Sequence, residues 1–73
     1  MDGQFKIRSY GYSELALLYF PNSNKRSAST QLGRWVRQNK SLKNQLRQAG
    51  FTRGQKILTP IQVGIIIQKL GEP

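Results

Sequence analysis

Residues 27–39, SASTQLGRWVRQN, constrain the fold of this chain more than any other stretch. Ala28, Leu32, Trp35 and Val36 recur at i, i+4, i+7 and i+8, the spacing of one buried helix face. Arg26, Thr30, Arg34 and Arg37, with Ser27 and Gln38, fall on the opposite side. The segment therefore predicts a helix with an apolar stripe turned to a core, Trp35 included, and a cationic, hydrogen-bonding outer face. Ser23 or Asn24 is the expected N-cap, so the helix spans about residues 24–39.

The rest of the chain must supply the core for that stripe. At 73 residues it has room for one small domain, residues 1–73, with a thin interior. Gln4 to Tyr10 alternates Phe5 and Ile7 with Lys6 and Arg8, which predicts a short β-arm. Ser13 is a candidate N-cap for a first helix, Glu14 to Phe20, with Glu14 placed to suit the helix dipole. This helix is apolar nearly all round and ends before Pro21. Ser41 is expected to cap a third helix running to Ala49, with Leu42, Leu46 and Ala49 inward and Lys40, Lys43 and Arg47 outward. Gly50 suits the C′ position. The segment GFTRGQKIL reads as a small hairpin with Arg53 and Lys56 at its tip.

Thr59-Pro60-Ile61-Gln62 fits a capping box with proline at the first helical position, and a fourth helix should follow to Leu70. Val63, Ile66, Ile67 and Leu70 form its inward stripe. Ile61 and Ile65 point elsewhere, either under the arm through Phe5 and Ile7 or into a weak homodimer contact. The expected architecture is mainly α, four helices with a short β-arm and a β-hairpin.

Charge narrows the function. The net charge is +9, and between Leu15 and Gly71 there are ten bases and no acid. A soluble surface normally mixes both signs. With no His, no Cys and only Asp2, Glu14 and Glu72 as carboxylates, no catalytic constellation or metal site can be assembled, and no cofactor is expected. No signal segment or membrane-length apolar run is visible, so a cytoplasmic location without membrane contact is the expectation.

Two resemblances add to this. Ser13-Glu14-Leu15-Ala16, the second helix, the basic hairpin and Thr59 to Val63 together resemble the winged helix-turn-helix of MerR regulators and phage excisionases. The third helix is an added element relative to that pattern. Phe5 to Gly11, Ser13 to Ala16, Tyr19-Phe20-Pro21, Leu32 with Arg34-Trp35, Thr59-Pro60 with Gln62-Val63, and Leu70 to Pro73 resemble more closely a family of short basic proteins of gut Bacteroides-type bacteria. That family is a domain of unknown function, so it implies no activity.

The helix-turn-helix resemblance implies duplex DNA binding, as a transcription or recombination module, with helix 24–39 as recognition helix. Arg34 and Arg37, with Thr30, Gln31 and Gln38, are then the base-edge candidates. Arg26, Lys40, Lys43 and Arg47 are the phosphate contacts, and Arg53 and Lys56 reach the adjacent backbone. RNA and an acidic protein partner are the competing readings. Single-strand readers need exposed aromatics, and Tyr10, Tyr12 and Tyr19 lie apart from most of the bases in sequence, which favours the duplex. One glycine, Gly33, lies beside the basic face and costs its helix about 1 kcal/mol relative to alanine. It marks either a close approach of a ligand or a tolerated substitution.

Overall fold

A computed structural model describes residues 5–73. Asp2, one of the three carboxylates, and Gln4, the expected start of the arm, lie outside the described residues. The order of elements is β1 (Tyr10–Gly11), α1 (Tyr12–Tyr19), α2 (Lys25–Gln38), α3 (Lys40–Gln48), β2 (Ile57–Leu58) and α4 (Pro60–Leu70). The described residues are mainly helical, with four helices and a small antiparallel β-element, as the patterning predicts.

Capping explains most helix boundaries, although not always through the expected residue. The N-cap of α1 is Gly11 rather than Ser13, and Glu14 Oε1 accepts from Gly11 N at 3.2 Å. Asn24 caps α2, its Oδ1 accepting from Ser27 N at 2.8 Å. The Ser23 hydroxyl is occupied by Gln31 Nε2 at 2.9 Å, which also withdraws Gln31 from the outer face. Asn39 does two jobs. It ends α2 and caps α3, accepting from Leu42 N at 3.0 Å, so Ser41 is not the cap. Gly50, at φ 86°, closes α3 as expected. Gly50 N donates to Arg47 O and Phe51 N to Leu46 O, the paired bonds of a Schellman motif. The α4 capping box is present in both directions: Gln62 N donates to Thr59 Oγ1 at 3.2 Å and Thr59 N to Gln62 Oε1 at 3.1 Å.

The small sheet departs from expectation. Residues 51–52 do not pair with 56–58 in a hairpin. Phe51 N is spent on Leu46 O, and Thr52 N donates to Gln55 Oε1 at 3.2 Å. β2 pairs instead with β1, Tyr10 opposite Leu58 and Gly11 opposite Ile57. The β-arm is correspondingly short: among its described residues only Tyr10–Gly11 is strand. Before it, Phe5 stacks on Tyr10 at 5.1 Å between centroids, and the Arg8 guanidinium lies 3.6 Å over the other partner of that stack, the Tyr10 ring.

The strand alternation buries Tyr10 and Leu58 and leaves Ile57 61% exposed. Tyr10, Leu15, Val36, Leu42, Leu46, Leu58, Val63 and Ile66 form the main core. Ala16, Ala28 and Leu32 form a second cluster between α1 and α2. Small residues there let the two helices approach closely.

Trp35 is not a core residue, contrary to its place on the stripe. It is 40% exposed and packs edge-on against Phe20 at 4.7 Å and Tyr19 at 6.1 Å. It sits at the margin of the apolar arc, and the two turns of α1 are too short to cover so large a ring. Ile65 is half-buried against the core, and Ile7 Cγ2 reaches the α4 backbone at Gly64. Ile61 remains 70% exposed, so the arm covers only part of what it was expected to cover.

The C-terminus is tied back by the Tyr19 hydroxyl, which donates to Gly71 O at 2.5 Å. Burial, and secondly the charge of Glu72, push the Tyr19 phenol up to about 12. The folded-state value is raised, so the stability that this neutral phenol contributes is complete below pH ~10. It is lost as pH rises toward about 12. An ultraviolet titration should show a late phenolate accompanied by loss of helical signal; all phenols ionising as free tyrosine would refute this.

Candidate nucleic-acid interface

The outer side of α2 is not the only cationic surface. α2, α3, the 53–56 turn and the start of α1 enclose an open groove of about 1100 Å³. Each wall brings cations for a local reason. Arg37 lies in the last turn of α2, where a positive charge suits the helix dipole. Lys43 and Arg47 are four residues apart on α3, about 100° around the helix from Leu42 and Leu46, and so share one flank of it. Arg53 and Lys56 flank a turn closed by Gln55 N donating to Thr52 O at 3.2 Å, with Gly54 at φ 83°. That positive φ is why glycine stands there.

Six of the residues expected to contact nucleic acid line this groove: Thr30, Arg37, Lys43, Arg47, Arg53 and Lys56. Their side chains are exposed, and none of the five cations pairs with a carboxylate of the described residues. The ion pair that the described residues do form, Arg8 with Glu14 at 3.1 Å, lies on the arm and α1. It holds the Glu14 carboxyl below the usual range, chiefly through the Arg8 hydrogen bond and then that of Gly11 N.

Arg26, Arg34, Gln38 and Lys40 are exposed but do not line the groove. Helix geometry accounts for two of them: Arg34 lies about 60° and Gln38 about 100° around α2 from Arg37. The cationic surface thus has two adjoining parts, a groove on one flank of α2 and a ridge along its back.

Sequence patterning missed the groove floor. Tyr12 and Phe51 lie there, ring centroids 6.4 Å apart, so aromatic side chains do sit among the bases. Both are half-buried against the core, which makes them floor rather than free stacking platforms. Burial pushes the Tyr12 phenol up and the nearby Arg37 charge opposes that, so its hydroxyl keeps its proton and can donate.

Gln62 was also only half legible. Besides its capping role it is buried, with Oε1 accepting from Gln55 Nε2 at 2.6 Å and Nε2 donating to Ala49 O at 3.2 Å. Gln55 Nε2 also donates to Ile57 O at 2.7 Å. One buried amide therefore joins the end of α3, the basic turn and the cap of α4. A polar side chain so placed needs partners, and both its oxygen and its nitrogen have one.

A family profile described as a domain of unknown function, DUF4248, matches residues 6–73. The chain belongs to the DUF4248 family. No curated protein and no solved structure matches the chain. The resemblance to a domain of unknown function along most of the chain is thereby borne out at the level of the family. In this DUF4248 domain no described helix is long and apolar enough to cross a membrane.

Proposed function

We propose that this protein binds duplex DNA, with one phosphodiester strand running along the groove and the back of α2 turned toward the major groove. The observation that carries the reading is the convergence on one concave surface of five cations from three separate segments, none paired with a carboxylate among the described residues. A groove of this kind accepts a single backbone, while Arg34 and Gln38 on the adjoining ridge remain free to meet base edges. α1 and α2, joined through residues 20–24, would serve as the two helices of a helix-turn-helix, and the 53–56 turn would stand where a wing stands. A cytoplasmic bacterial setting, of the Bacteroides type that the sequence resembles, fits this role.

Titrating the protein into a labelled duplex by anisotropy tests the reading. If about six phosphates are neutralised, affinity should fall about a thousandfold over a fourfold rise in salt, a slope near −5. No binding at low salt would overturn it. Tighter binding to single-stranded RNA than to the duplex would replace it with an RNA reading. Capture by an acidic protein alone would favour the interaction-module reading.

A further inference from the structure

Gly33 lies inside α2, where a glycine weakens the helix, yet the fold does not require one there. It is not among the residues with positive φ. A methyl group at this position would meet the Tyr12 hydroxyl oxygen at 3.4 Å and Arg37 Nη1 at 3.7 Å, both ordinary contacts. The Cβ position is therefore flanked by both groups, on the wall of the groove. What the absent side chain leaves is a bare patch of helix between two donors.

Those donors suit an anion. The Tyr12 hydroxyl makes no hydrogen bond within the described residues, and Arg37 is not engaged in any ion pair there. Both groups stand within 4 Å of one point beside Gly33, so they lie close enough together for a single anion to meet the two. A tetrahedral phosphate, with two oxygens free on one side, can accept from a neutral hydroxyl and a guanidinium together. Lys43, Arg47, Arg53 and Lys56 continue the groove away from this point and would hold neighbouring phosphates as point charges.

We infer that Tyr12, Gly33 and Arg37 form a seat for one backbone phosphate of the duplex, with Gly33 left bare so that the strand lies directly against α2. This rests on the duplex-binding reading above and goes beyond it by fixing where the strand touches the protein. Within the seat, Tyr12 and Gly33 position the strand through a neutral hydrogen bond and close contact, and Arg37 adds a charged one. The remaining cations supply the salt-dependent attraction.

The two contributions separate experimentally. Anisotropy titrations of Tyr12→Phe, Gly33→Ala and the wild-type protein against the same duplex, at two salt concentrations, give affinity and salt slope for each. Tyr12→Phe and Gly33→Ala should each weaken binding about tenfold with the slope unchanged, because no formal charge is removed. Gly33→Ala should at the same time raise the thermal midpoint, since alanine favours the helix. That rise keeps the test sound even if Tyr12→Phe lowers stability. Wild-type affinity in both variants would overturn the seat while leaving duplex binding in place. Failure of the wild-type protein to bind the duplex at all would overturn both.

Discussion

Reversing one cation from each wall of the groove, Arg37→Glu, Lys43→Glu and Lys56→Glu together, should weaken duplex binding by about a thousandfold or more at low salt. The salt slope should become shallower by about three, one unit for each phosphate contact removed. All three side chains are exposed, so the fold should survive; surface changes of this kind shift stability by roughly 0.5 kcal/mol or less each. The informative comparison is a second triple variant of identical charge. Lys6→Glu, Lys25→Glu and Lys69→Glu alter exposed lysines that do not line the groove. If attraction came from net charge alone, the two variants would lose affinity equally. If the groove is the contact, the second should lose a small fraction of what the first loses. Equal losses in anisotropy titrations would remove the groove from the account.

The second large effect concerns stability. Leu32→Ala should cost about 2–5 kcal/mol, the range for truncating a fully buried leucine. Leu32 has no exposed surface and stands between Ala16 and Ala28 in the cluster that fastens α1 to α2. Tyr12, Leu17, Tyr19, Phe20 and Leu70 pack around that cluster, so the truncation removes contacts from several large side chains at once. A domain of this size has a total stability of roughly 4–11 kcal/mol, so the variant should be largely or wholly unfolded at moderate urea. Trp35→Leu removes a larger side chain from the same helix but from its margin, and should cost less than half as much. Urea melts followed by helical circular dichroism decide this. A larger loss from Trp35→Leu than from Leu32→Ala would contradict the placement of the core.

That contrast also shows how much of the structure was legible beforehand. Periodicity identified α2 and α3 and their apolar stripes because a 3.6-residue repeat records which side of a helix is covered. It could not record how far the covering helix extends. Trp35 fits the stripe but lies beyond the reach of α1, so its exposure depends on the length of another element. Caps were legible as types rather than positions: Asn24 and Asn39 won over Ser23 and Ser41, each a neighbour able to bond elsewhere along its own helix. The capping box at Thr59 was read correctly because both partners lie within four residues. The strand partner of Leu58 was not, because Tyr10 is far away in the chain and the pairing was decided by which backbone donors other bonds had already taken.

The candidate site divides in the same way. Charge composition pointed to Arg37, Lys43, Arg47, Arg53 and Lys56 without any geometry, since an acid-free run of bases needs no fold to be noticed. That these five face one groove, while Arg26, Arg34 and Lys40 do not, required the turn after α3 to double back beside α2. The floor at Tyr12 was hidden because its neighbours in space come from segments remote in sequence.

The buried amide of Gln62 has a consequence for binding thermodynamics. A flexible basic loop must surrender conformational entropy when it closes on a ligand, and that loss subtracts directly from affinity. Here Gln62 and Gln55 fix the backbone around Arg53 and Lys56 before any ligand arrives. What remains to be ordered is the two side chains themselves. The turn forms a pre-ordered jaw of the groove, and the folded scaffold has met the cost of ordering its backbone in advance.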